Sequence, residues 1–223
     1  MAALALRPEV RGRLVVLEGI DGCGKTTQLQ ALAAWLPQSG LLPAGAELLV
    51  TREPGGTPLG QALRQLLLHP PHGADPHSTA ELLLYAADRA QHVQERLEPA
   101  LAAGHWVLSD RYSGSTAAYQ GHGRGLDLTL IAQLEQIATA GLQPDLTLWL
   151  DLPLAEATRR RGDRQGGASP DRIEAAGEAF LARVQQGFAS LALQRGWQRI
   201  AADQSPELVG AACRQALQQR FGA

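Results

Sequence analysis

A lysine, a threonine and three glycines carry the strongest chemical signal in the chain. Gly19-Ile20-Asp21-Gly22-Cys23-Gly24-Lys25-Thr26 has the form G-x-x-x-x-G-K-[ST], with the apolar run Leu14–Leu17 before it and a helical pattern from Thr27 after it. Glycines let a loop curl so that successive N–H groups point inward and cradle phosphate oxygens. A helix N-terminus behind the loop adds partial positive charge, a lysine reaches the outer phosphates, and a Ser or Thr hydroxyl can hold Mg²⁺. The segment from Gly19 to Thr27 is therefore expected to bind a nucleoside triphosphate. Residue usage supports this independently. The chain's 20 basic residues are 19 Arg and one Lys, and that Lys is Lys25. A P-loop needs a compact ammonium on a flexible stem, which an arginine fork does not supply.

Further polar residues recur at places where ligands bind. Arg52-Glu53-Pro54-Gly55-Gly56-Thr57-Pro58 and Asp110-Arg111-Tyr112 each follow directly on an apolar strand-like run. In open parallel sheets, ligands sit at the C-terminal ends of strands. Tyr85 and Arg89 stand four apart in a helical pattern, as do Thr116 and Gln120, so each pair shares a helix face. Arg159, Arg160, Arg161 and Arg164 lie in a basic, glycine-containing segment ending Gln165-Gly166-Gly167, which reads as a mobile lid over about 159–170. A solvated basic face is the plainer meaning of such a run.

The elements that must position these groups alternate. Leu14–Leu17, Glu47–Thr51, His105–Ser109, Leu146–Leu150 and Gln198–Ala201 read as strands. Between them, Leu29, Leu32, Ala33 and Leu36 mark one helix, and Leu59, Leu63, Leu66 and Leu67 another, with Arg64 beside them. A long helix is expected from Ser78, read as its N-cap, to Arg96, and Pro99 starts a short further turn that Gly104 ends. Leu82, Leu83, Leu84, Ala86, Ala87 and Ala90 leave the long helix so little polar surface that both the sheet and a partner subunit should cover it. Asp127 caps a helix with Leu128, Ile131, Leu134 and Ile137 inward. Ser169-Pro170 opens one carrying Ile173, Ala176, Phe180, Val184 and Phe188, and Pro206 starts the last. Parallel neighbours need helical crossovers, so the expected class is α/β with a central parallel sheet of about five strands.

At 223 residues, 45% hydrophobic and 19% charged, the chain suits one globular domain over 1–223. A net charge of -2 argues against a nucleic-acid binder that works by phosphate neutralisation. Cys23 and Cys213 make no disulfide framework, and neither a signal-peptide core nor an apolar run long enough to span a bilayer is present. The expected location is cytoplasmic, with no membrane partner.

Six segments, in order, resemble thymidylate kinases: Leu17–Gln28, Thr51–Thr57, Tyr85-Ala86-Ala87-Asp88-Arg89, Asp110-Arg111-Tyr112, Ala118-Tyr119-Gln120-Gly121 and Asp171-Arg172-Ile173-Glu174. The resemblance implies a P-loop kinase fold, a homodimer, and transfer of the γ-phosphoryl of MgATP to dTMP, giving dTDP for deoxythymidine nucleotide synthesis. It implies that Arg52 and Arg111 clamp the acceptor phosphate, that Thr26 and Asp110 attend Mg²⁺, and that Asp21 takes the sugar 3′-hydroxyl. A carboxylate at Asp21 could instead cap the loop's own N–H groups. Tyr85 would stack on thymine where the family usually has Phe, Arg89 would donate to thymine O4, Thr116 and Gln120 would contact the base edge, and Tyr119 would pack near C2′. On periodicity alone Tyr119 also reads as a core residue.

Some family members carry an arginine directly after the acidic residue of the P-loop, where this chain has Gly22. The missing charge would come from the lid, with Arg159, Arg161 and Arg164 as candidate catalytic groups beside Lys25, and Arg160 adjacent; the lid also reads longer than usual for the family. A kinase for another nucleoside monophosphate or a deoxynucleoside is the alternative reading. A GTPase-type switch is disfavoured, because the chain has no asparagine and no second lysine for an Asn-Lys-x-Asp loop.

Overall fold

The computed structural model describes residues 11–72, 74–164 and 171–222. Five strands, β1 (Leu14–Glu18), β2 (Leu48–Arg52), β3 (Trp106–Asp110), β4 (Leu146–Asp151) and β5 (Gln198–Ala201), form one parallel sheet in the order β2-β3-β1-β4-β5. Central β1 is buried along its whole length, which is why it reads as an unbroken apolar run, whereas the edge strand β2 leaves Val50 exposed. β2 and β3 each run one residue beyond their expected ends, so Arg52 and Asp110 close the strands rather than opening the loops.

The helices are α1 (Lys25–Trp35), α2 (Pro58–Leu68), α3 (Ser78–His92), α4 (Glu98–Ala102), α5 (Ser113–Thr116), α6 (Leu128–Thr139), α7 (Leu154–Arg164), α8 (Glu178–Arg195) and α9 (Pro206–Phe221). α1 starts two residues before the helix expected from Thr27, because Gly24, in the left-handed region at φ 96°, ends the P-loop immediately ahead of Lys25. Local chemistry sets other starts. The Thr57 hydroxyl accepts from Gly60 N with Pro58 in the first turn, Asp127 caps α6 by accepting from Thr129 N, and Ser205 accepts from Leu208 N ahead of Pro206. Ser78 is the first helical residue of α3, with His77 at its cap. The chain continues through wide π-type turns over Val93–Leu97 into α4, and α5 continues in the same way over Ala117–Gly123.

Three expectations are corrected. α6 buries Ile131, Glu135 and Ala138 and leaves Leu128 and Ile137 exposed, because its inner stripe is turned so that Glu135 approaches Arg89 on α3. The basic segment is not glycine loop from Arg159 onward: Arg159–Arg164 complete α7, supported by ion pairs from Glu156 to Arg159 and Arg160 at helical spacing. α8 starts at Glu178, after a 3₁₀ turn at Glu174–Ala176, so Ile173 is buried ahead of the helix and not on it. Ser169-Pro170 and the rest of the expected lid, 165–170, lie outside the described residues. Among the described residues, no helix is long and apolar enough to cross a membrane.

Candidate active site

The P-loop, the Arg52–Pro58 loop and the turn after β3 meet at the C-terminal ends of β1, β2 and β3. Gly19 (φ 142°) has no room for a side chain: a Cβ there would lie 2.7 Å from the Leu150 carbonyl oxygen and 2.8 Å from Cys23 Sγ. Ile20 and Cys23 point their side chains into the core, so only their backbone can serve the loop. Lys25 Nζ donates to the carbonyls of Gly19 (2.9 Å) and Ile20 (3.0 Å), which places the ammonium in the concavity of the loop. Thr26 Oγ1 lies 3.4 Å from Asp110 Oδ2, while Asp110 Oδ1 is buried with no hydrogen-bond partner among the described residues. Such an orphaned carboxylate oxygen beside a hydroxyl fits an oxygen-loving cation.

Two clefts open here. One, lined by Gly22, Gly24, Lys25, Thr26, Thr27 and Asp110, also contains Arg52. The other encloses ≈ 550 Å³, counted to its open mouth, and is lined by residues that include Tyr85, Arg89, Thr116, Tyr119 and Gln120. The clefts share Asp21, Glu53, Arg64 and Arg111, so a ligand in one touches the same wall as a ligand in the other. A larger opening of ≈ 1140 Å³ lies over Val16 and Thr147 on a face of the sheet. None of its lining residues belongs to the P-loop or the Arg52–Pro58 loop, and the chemistry is not there.

Sequence similarity then decides the family. The sequence model for thymidylate kinase matches residues 17–212. The chain is 72% identical over 201 residues to the thymidylate kinase of Synechococcus sp. (strain RCC307), covering 90% of this chain and 92% of that one. It is 64% identical to that of Prochlorococcus marinus (strain MIT 9313), covering 95% and 96%. The chain belongs to the thymidylate kinase family. In three dimensions it resembles the crystal structure of thymidylate kinase from Ehrlichia chaffeensis with a TM-score of 0.72 at 31% identity, over 93% of this chain and 99% of that one.

The wall that the two clefts share is strongly charged. Arg111, held at φ 74°, donates from Nη1 to the Gly19 carbonyl and Ser115 Oγ, and from Nη2 to Asp21 Oδ1 (2.6 Å) and the Tyr119 hydroxyl. Tyr119 in turn donates to Asp21 Oδ2 (3.0 Å). Burial disfavours the Asp21 charge, but Arg111 and Lys25 outweigh it and hold the carboxyl well below the usual range. Among the described residues, the partners of the Asp21 carboxylate are side chains. Tyr119 lines the cleft and also packs edge-on against Phe188.

Arg89 is buried and tied on three sides, donating to Glu53 Oε2 (2.8 Å), Thr116 Oγ1 (2.9 Å) and the Tyr112 carbonyl (3.1 Å). Glu53 meets His92 Nδ1 at 2.8 Å, and His92 meets Thr51 Oγ1 at 2.7 Å. Sequence reading gave no role to Glu53, His92, Glu81 or Arg64. Arg64 lines both clefts beside Arg52, with Nη1 donating to the Pro54 carbonyl. Burial, then the charges of Arg52 and Arg111, pull its pKa down. The available signal was its spacing from the Arg52 loop on a helix that starts at that loop.

Of the α7 arginines, Arg159 is engaged by Glu156 and Asp163, and Arg160 by Glu156 and the Ala202 carbonyl. Of the three whose side chains are described, Arg161 is the buried one, with Nη2 on Thr158 Oγ1 and Nη1 unpartnered among the described residues. Its stem and the Ala157 carbonyl occupy the space a Cβ on Gly22 would need, so an arginine at 22 and this seat of α7 exclude each other. The Arg164 side chain lies outside the described residues.

Proposed function

We infer that the chain carries out its family's reaction, moving the γ-phosphoryl of ATP to dTMP to give dTDP, with ATP at the P-loop and dTMP in the cleft of Tyr85 and Arg89. The shared wall carries this reading, because two clefts meeting at Asp21, Arg64 and Arg111 would bring an acceptor phosphate against a donor phosphate. Phosphoryl transfer needs little covalent assistance, so positioning and positive charge supply the catalysis.

Backbone N–H groups from Gly19 to Thr27 and the Lys25 ammonium would hold the triphosphate. Arg52, Arg64 and Arg111 would clamp the acceptor phosphate, and Asp21, fixed by Arg111 and Tyr119, would accept from the 3′-hydroxyl. Tyr85 would stack on the base, Arg89 would donate to thymine O4 with N–H groups its three partners leave over, and Thr116 and Gln120 would meet the base edge. The Tyr119 ring would lie near C2′, where a ribose hydroxyl would find no room. Thr26 and Asp110 would hold Mg²⁺, which would supply positive charge to offset that of the phosphates. Arg161 is the α7 arginine whose burial and free Nη1 best suit the transferring group, taking the place of a P-loop arginine; Arg159 is committed to carboxylates, and Arg164 remains a candidate from sequence.

A homodimer is supported by apolar side chains left in water on neighbouring helices: Leu83 on α3, and Leu130 and Ile137 on α6, the last 77% exposed. The function is tested by ADP release with MgATP over a panel of acceptors. dTMP should be turned over far faster than dCMP, dAMP, dGMP or thymidine. Equal use of dCMP, or a preference for thymidine, would refute the assignment.

A further inference from the structure

We propose that Glu81 is a positioning residue that sets the base selectivity of the acceptor cleft by fixing which end of the Gln120 amide faces it. The proposal rests on the reading that the cleft takes thymine. Glu81 lies on α3 with its side chain fully buried, outside the cleft lining. Three side chains from distant parts of the chain converge on it. Gln120 Nε2 donates to Oε1 (2.7 Å), Arg124 donates from Nε to Oε1 (3.3 Å) and from Nη2 to Oε2 (3.1 Å), and Arg172 Nη2 donates to Oε2. Arg172 is itself anchored by Nε to the Leu67 carbonyl (3.0 Å).

An amide presents a donor at one end and an acceptor at the other, and either end could face the cleft unless a neighbour decides. Glu81 decides it. Burial would favour the neutral acid, but the hydrogen bonds from Gln120, Arg124 and Arg172 outweigh burial and lower its pKa, so the group is a carboxylate and can only accept. Gln120 must therefore give it the NH₂ end. The opposite end, Oε1, receives no hydrogen bond from the described residues, and Gln120 lines the cleft. The cleft thus offers an acceptor from Gln120 next to the donors of Arg89. Thymine presents the complement, an N3–H donor beside the O4 acceptor. Cytosine presents the reverse, a bare N3 beside an amino group, so both positions would be mismatched. A buried polar group left unpaired by the wrong ligand discriminates far more strongly than shape does. Arg124 and Arg172 both donate to Glu81, and neither lines the cleft.

The test compares kcat/KM for dTMP and dCMP in wild type, Glu81→Gln and Arg172→Met. A glutamine at 81 can donate to Gln120, which frees the amide to turn. The dTMP/dCMP ratio should fall about tenfold or more, through a higher KM for dTMP and a lower one for dCMP, with KM for ATP unchanged. Arg172→Met removes a partner but leaves a carboxylate to accept, so it should lower the melting temperature and keep the ratio. A ratio unchanged in folded Glu81→Gln, or lost equally in Arg172→Met, overturns the proposal. A wild type that does not prefer dTMP overturns instead the reading of the cleft. Should Glu81→Gln not fold, hydrogen exchange of the Gln120 side-chain NH₂ in ligand-free wild type decides: strong protection is required, and exchange at the rate of a free amide overturns the proposal.

Discussion

Replacing Arg64 by Met should change the stability of the empty protein little and weaken the binding of dTMP. In the absence of ligand the guanidinium is half-buried, donates to the Pro54 carbonyl at 3.1 Å, and is crowded by Arg52 and Arg111. Methionine keeps a stem of similar length against Gly55 and removes the charge. The lost hydrogen bond costs about 0.5–1.5 kcal/mol, and relief from two like charges offsets much of that. The melting temperature should therefore stay within about 3 °C of wild type, since about 1 kcal/mol moves a chain of this size by 2–4 °C. Binding of dTMP should suffer more. A charge-assisted hydrogen bond to phosphate contributes about 1.5–3 kcal/mol, which corresponds to roughly 10- to 150-fold in Kd. Thymidine has no phosphate and should bind both proteins equally. Calorimetric titration of the two ligands at fixed ionic strength reads the difference. If dTMP and thymidine weaken together, or the variant melts ~10 °C lower, Arg64 braces the Arg52–Pro58 loop and holds no phosphate.

Three further outcomes are expected. Asp110→Asn should raise the Mg²⁺ concentration for half-maximal rate about tenfold or more, with KM for dTMP nearly unchanged, because Asp110 Oδ1 is the buried oxygen without a partner; initial rates across a Mg²⁺ titration check it. Glu135 is pushed up to about 7, by burial that Arg89 and Arg195 only partly offset, so the folded state loses stability relative to the unfolded as pH rises through 5 to 7. Glu135→Gln should then be more stable than wild type at pH 8, by up to about 3 kcal/mol, with most of the gain gone at pH 5; urea titrations at the two pH values test the sign. Ile137→Glu should convert a sedimenting dimer to a monomer, and a persistent dimer would place the interface elsewhere.

What was legible in the sequence is what one short segment decides by itself. The P-loop depends on backbone conformations that Gly19, Gly22 and Gly24 permit, and on a lysine and a threonine adjacent to them in the chain. Strand and helix positions followed from apolar spacing, and Thr57, Asp127 and Ser205 act within three residues of themselves. Errors arose where one segment's face depends on another. α6 is turned by the approach of Glu135 to Arg89. Glu53 and Glu81 were beyond reach for the same reason: their significance lies in partners far away in sequence. Nothing in Ala80-Glu81-Leu82 tells that Arg124 and Arg172 will surround the carboxylate, nor does the arginine run tell that one member will fill the space above Gly22. Local sequence sets backbone conformation and residue chemistry, while the charge state and orientation of a buried group are set by whatever the tertiary fold brings against it.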